Sequence, residues 1–148
     1  MPRIEQAYIK SGRVKYVVRD LPLESIHHDA FKAAEAAHCA GDQNAFWPMY
    51  ARLFAHPTEL TLPELPVHAR ALGLDVKAFG ACLDGGKNAV RVHRDIADAI
   101  RLGVNSTPSF FIGVPAGDNR IRVVKLVRGA QPFEAFKDLI DPLLARSS

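Results

Sequence analysis

Two cysteines, Cys39 and Cys82, are the chain's only thiols, and 42 residues lie between them. That spacing excludes a local Cys-x-x-Cys of the kind used for redox exchange or zinc binding. Six histidines raise the question of a metal, above all His27, His28 and His38 beside Cys39. On a helix, adjacent His27 and His28 point about 100° apart, and His38 lies about three turns and roughly 16 Å from His27. One ion cannot join them, so surface or hydrogen-bonded histidines are the better reading, and no metal or other cofactor is expected. No Gly-rich phosphate loop and no Ser-His-Asp arrangement is discernible. The remaining candidate is NSTPSFFIG, Asn105 to Gly113. Its Thr-Pro step directly before an apolar run can present peptide backbone beside a turn-locked proline.

The elements that must position these residues come from a chain of ordinary globular composition. Its 148 residues are 48% hydrophobic and 24% charged, enough for one domain with one core. The formal charge of +3 comes from Lys and Arg scattered along the chain, such as Arg91, Arg94, Arg101, Arg120, Arg122 and Arg128. No basic run is interleaved with aromatics, so a solvated surface is expected and a nucleic-acid partner is not. No apolar run approaches the roughly 18 residues that span a bilayer, and MPRIEQAYIK lacks the apolar core of a signal peptide. As written, the chain is expected to be neither anchored nor exported.

Ile4, Ala7 and Tyr8 recur at helical spacing, and Gly12 follows where a left-handed cap would sit. The β-branched and aromatic run Val14, Tyr16, Val17 and Val18 predicts a strand of about six residues ending near Arg19 or Asp20, before Pro22. From Ser25 to Gly103 the signals are helical. Ser25 is expected to cap a helix running to about Ala40, with Ala30, Ala33, Ala34 and Ala37 as a small-residue face. A second helix carries Phe46, Met49, Tyr50, Leu53 and Phe54, with Pro48 in its first turn. Two shorter helices follow at about 63–72 and 75–84, stopped by Gly73 and Gly85-Gly86. A longer one runs from about Lys87 to Leu102, with Val90, His93, Ala97 and Ile100 on its apolar face. After Pro108 the pattern becomes a hairpin, SFFIG and IRVVKLVRG around a PAGDNR loop. Pro132 then opens a C-terminal amphipathic helix carrying Phe133, Phe136, Leu139, Ile140, Leu143 and Leu144.

In this order the chain resembles the DsbA-type thiol-disulfide oxidoreductases of the thioredoxin superfamily. Four stretches carry the likeness: SGRVKYVVRDLPL (11–23), HHDAFKAAEAAHCAGDQNAFWPMYARLF (27–54), FGACLDGGK (79–87) and GVNSTPSFFIG (103–113). The resemblance implies an α/β, thioredoxin-like fold in a single domain, 1–148, with a DsbA-type helical insertion at about 24–103. It implies that Pro108 is a cis-proline beside the family's Cys-x-x-Cys, and that Thr107 offers backbone hydrogen bonds to an extended peptide or protein thiol/disulfide substrate. A periplasmic or extracytoplasmic setting is the family's usual one.

In that family the first strand and the Cys-x-x-Cys precede the region equivalent to Ile4 to Lys10. This chain starts at Met1 inside that helix, so the first strand and active-site helix start are missing from it. No catalytic residue is expected, and disulfide exchange is expected to be inactive. One alternative is a noncatalytic peptide-binding module. Another is a kappa-type glutathione transferase or isomerase, whose catalytic serine would also have to precede Met1. The missing strand would lie between the strand near Val14 to Arg19 and the one near Phe110 to Ile112. Buried unpaired edges cost about 1 to 3 kcal/mol for each stranded backbone group. The expectation is closure of the gap, or a dimer or partner strand that supplies the edge.

Relatives of this type carry cysteines at the places of Cys39 and Cys82, which implies an interhelical disulfide or two buried thiols. The alternatives are a redox-active distal pair, or a nucleophile at Cys39 beside His38. A bridge would imply an oxidising compartment. His27 resembles a family position of structural role, and Phe46 and Trp47 are expected in the core.

Overall fold

The computed structural model describes residues 2–118 and 120–146. The chain forms two compact units, residues 19–103 and residues 1–18 with 104–148.

The first unit is helical: α2 (Ala30–Gly41), α3 (Phe46–Ala55), α4 (Leu65–Ala71), α5 (Val76–Asp84) and α6 (Ala89–Arg101). Helix α2 is its centre. Ala33, Ala36, Ala37 and Ala40 on one side bring it against Met49 and Leu53 of α3, Leu65 and Ala69 of α4, and Phe79 and Leu83 of α5. Small side chains permit this close approach, and the apolar area removed from water, at about 25 cal/mol per Å², drives it. Helix α2 begins at Ala30, not Ser25, because residues 24–26 and 28–29 form turns and Asp29 stands at the cap. Asp75 caps α5 by accepting hydrogen bonds from the Lys77 and Ala78 amides.

Two further sequence expectations fail in this unit, for one reason each. The stripe Val90, His93, Ala97 and Ile100 does not face the core. All four are exposed, Val90 by 79% and Ile100 by 68%, while Val92 and the charged Asp95, 3% exposed, face inward. Asp95 is held there because its carboxylate accepts the Asp20 amide and pairs with Arg19. Trp47 is 48% exposed, and with Tyr50 and Phe54 it forms an aromatic ridge along α3. The core positions of this short helix are taken by Met49 and Leu53.

In the second unit α1 (Pro2–Ile4) runs on into a π-helical stretch, Glu5–Ile9, closed by a hydrogen bond from the Lys10 amide to the Glu5 carbonyl. Gly12 follows at φ 72°. Strands β1 (Ser109–Pro115) and β2 (Ile121–Arg128) pair antiparallel from Ser109↔Arg128 to Pro115↔Ile121. A bulge falls between Ile112 and Gly113. Helix α7 (Phe133–Ala145) packs on this side, with Phe136 and Ile140 buried against Ile4 and Tyr8. Pro132 is its cap, one place before the first turn. Asn119, within the expected PAGDNR loop, lies outside the described residues.

The strand expected near Val14 to Arg19 is not formed. Residues 13–20 alternate exposed and half-buried, as a strand would, but join no ladder. Among the described residues the sheet has two strands, β1 and β2. The expected closure by direct pairing has therefore not occurred. With residues 13, 15, 17 and 19 exposed the segment is not enclosed, so the burial penalty that argued for closure does not arise.

Candidate functional site

Thr107 and Pro108 immediately precede β1, and both are exposed. The peptide bond joining them is cis. The Pro108 carbonyl accepts a hydrogen bond from the Gly129 amide beyond the far end of β2, which fastens the step to the hairpin. Ser109 Oγ donates to the Ser106 carbonyl and tightens the approach. Among the described residues none pairs with the amide or carbonyl of Thr107. A free donor and a free acceptor therefore stand together at the surface, in line with a strand whose second edge is unpaired. Such a main-chain site can take an extended peptide by strand addition.

Beneath the hairpin Tyr8 is buried and its hydroxyl donates to Asp141 Oδ1 at 2.7 Å. Burial first, and then this hydrogen bond, push the Tyr8 hydroxyl pKa above its ordinary value. The same bond from Tyr8, followed by that from Lys137, holds Asp141 below the usual carboxylate value.

The two cysteines meet in the helical unit. Cys39 of α2 and Cys82 of α5 form a disulfide, with their Cα atoms 5.9 Å apart. Cys39 is 1% exposed, whereas Cys82 is only partly buried. Asn88 Nδ2 lies 3.6 Å from Cys39 Sγ and 3.4 Å from Cys82 Sγ. Asp42 Oδ2 lies 3.6 Å from Cys82 Sγ and also holds Lys87 Nζ at 2.9 Å. One turn before Cys39, the carboxylate of Glu35 is buried beside Lys32. Lys32 Nζ is 2.7 Å from Oε2, close enough for an ion pair, although neither Glu35 oxygen has a hydrogen bond of good geometry.

The histidines go separate ways. His27 and His28 are exposed. His38 is buried, stacks on Phe46 and lies 2.6 Å from Asp20 through Nε2. Among the described residues no three His, Cys, Asp or Glu side chains are grouped to hold a metal. Sequence reasoning missed Asp20, Asn88 and Asp42. Each matters through a partner between 6 and 40 residues away, and no local pattern marks such a pair. Arg101, and after it Arg19, hold Asp98 below its ordinary pKa at the foot of α6.

A hairpin flanked by helices, an exposed Thr-Pro step at its entrance and a helical unit with its own disulfide describe a thioredoxin-like protein. A family model described as thioredoxin matches residues 1–141, and the chain belongs to that family. The chain is 40% identical over 111 residues to the Na(+)/H(+) antiporter NhaA 1 of Salinispora arenicola (strain CNS-205), covering 75% of this chain and 17% of that protein. It is 38% identical over 111 residues, with the same shares, to the Na(+)/H(+) antiporter NhaA 3 of Salinispora tropica. Over 100 residues it is 40% identical to the Na(+)/H(+) antiporter NhaA of Herminiimonas arsenicoxydans, covering 67% and 16%. The chain thus spans about a sixth of the length of these relatives. Among the described residues no helix is long and apolar enough to cross a membrane.

Proposed function

We propose that this chain is a DsbA-type member of the thioredoxin family and that its Thr107–Pro108 face holds an extended peptide or protein thiol/disulfide substrate. In this reading residues 1–148 are one thioredoxin-like domain, and about 24–103 are its helical insertion. The observation that carries it is the exposed, unpaired main chain of Thr107 beside the open edge of β1. A further part of the reading is a dimer or partner strand at the edge of β1 away from β2, since among the described residues the sheet has two strands. The Cys39–Cys82 bridge fits an oxidising compartment.

The sequence contains no Cys-x-x-Cys. The Thr107–Pro108 face therefore binds without exchanging thiols itself, and an insulin-reduction assay is expected to stay at background. The binding test is a titration of isotope-labelled protein with an unstructured peptide of alternating apolar residues. Amide signals of residues 105–112 should move, whatever the redox state of Cys39 and Cys82. Backbone N-methylation of the peptide residue opposite Thr107 should weaken binding about fivefold, the worth of one lost hydrogen bond of about 1 kcal/mol. Equal binding of the methylated peptide, or shifts confined elsewhere, would overturn the reading.

The relatives support a second reading, in which the domain acts on a cation antiporter, within one chain or as a separate partner. Vesicles carrying such an antiporter can be assayed for sodium-driven collapse of a pH gradient with and without the domain. An unchanged rate at saturating domain rules this out.

A further inference from the structure

We propose that the Cys39–Cys82 bond is a thiol-exchange site distinct from the peptide-binding face at Thr107–Pro108, at which an external thiolate attacks Cys82 Sγ and Cys39 leaves. Thiolate attack on a disulfide runs in line with the S–S bond, so the attacked sulfur is the one that solvent can reach from the far side. Cys39 is closed off within α2, and Cys82 near the end of α5 is partly open. Asn88 Nδ2, within reach of both sulfurs, faces the departing Cys39 sulfur with a donor as negative charge builds on it.

Charge at the entrance sets the rate. Asp42 stands 3.6 Å from Cys82 Sγ and repels an incoming anion, while Lys87 on the same carboxylate offsets the repulsion. The acceptable reactant is a thiolate on a small or flexible carrier.

The attacking thiol loses its proton, its sulfur bonds to Cys82 Sγ, and the Cys39–Cys82 bond breaks with its electron pair going to Cys39. Cys39 then takes up a proton. With a dithiol reactant, the second thiolate attacks the mixed disulfide at the carrier's own sulfur and frees Cys82. The dithiol is oxidised by two electrons, and Cys39 and Cys82 are reduced.

The test treats the folded, oxidised protein with 2-mercaptoethanol at pH 8, alkylates it after an acid quench and maps both cysteines by peptide mass. The expected result is the mercaptoethanol adduct on Cys82 and the alkyl group on Cys39. An adduct mainly or equally on Cys39, or none before the protein unfolds, overturns the proposal. Asp42→Asn should speed adduct formation about fourfold at low salt, and Lys87→Gln should slow it by a similar factor, as expected for one charge about 5 Å from the attacking sulfur in water. Identical rates in both variants, with unchanged circular dichroism, would also sink the entrance argument. None of these readouts depends on peptide binding at Thr107.

Discussion

Breaking the Cys39–Cys82 bond without changing a side chain isolates what the cross-link contributes to stability. The bridged residues are 43 apart in sequence. Loop closure over that length removes about 13 cal/mol/K of entropy from the unfolded chain, or about 4 kcal/mol at 298 K. A domain has about 5 to 15 kcal/mol in all, so reduction should move the protein most of the way to its unfolding threshold. The polar ties near this end, from Lys32 Nζ to the Leu83 carbonyl and from Lys87 Nζ to Asp42, are partly exposed or exposed, and at about 1 kcal/mol or less each they cannot replace the bridge. Urea unfolding followed by far-ultraviolet circular dichroism, with and without a phosphine reductant, measures the difference. The Cys39→Ala/Cys82→Ala variant should ignore the reductant and unfold near the reduced protein. A difference between oxidised and reduced protein below about 1 kcal/mol would mean that the unfolded state is nearly as constrained without the bond as with it, and that loop closure is not what the bridge contributes.

Other perturbations address the rest of the fold. Lys32→Ala strips the buried Glu35 carboxylate of its ion-pair partner and should cost about 3 kcal/mol in chemical unfolding, with Glu35→Gln in the same background restoring much of it. Gly113→Ala builds a Cβ 2.6 Å from the Arg122 carbonyl oxygen at the bulge, so the melting temperature should fall by the equivalent of about 2 kcal/mol. The Tyr8 and Lys137 pKa values are both raised, so each group's stabilisation is complete below its unfolded value and is lost as pH rises through its folded one. Asp141, held low, contributes above its unfolded value and loses that contribution as pH falls through its folded value. Tyr8→Phe should therefore flatten both the alkaline and the acid limb of a stability–pH profile, and unchanged limbs would count against the Tyr8–Asp141 bond.

The elements that depend on nearby residues were legible in the sequence. Helix α5, the glycines that end helices and the β1–β2 hairpin follow from periodicity and turn residues within a few positions. The failures are questions of partnership. Val14 to Val18 carry a real strand signal, visible in their alternating exposure, but a ladder needs a second strand that these residues do not specify. Helix α6 has an apolar stripe at the right period, yet it turns Asp95 inward, where the Asp20 amide donates to one carboxylate oxygen and Arg19, more than 70 residues earlier, stands at ion-pair distance from the other. Thr107 and Pro108 stood out through their resemblance to a family motif. Nothing local announced the Asn88 and Asp42 side chains that flank the disulfide.

Strand β2 also governs how the protein behaves at high concentration. Ile121, Val123 and Val124 lie exposed on a strand with an open outer edge, a surface on which copies can adhere. Arg122, Lys125 and Arg128 are spaced through the same strand, and their mutual repulsion between molecules opposes that contact. The range of that repulsion shrinks to about 8 Å at physiological ionic strength and about 3 Å at 1 M salt. Adding salt to a concentrated solution should therefore bring on clouding, and lowering it should restore clarity.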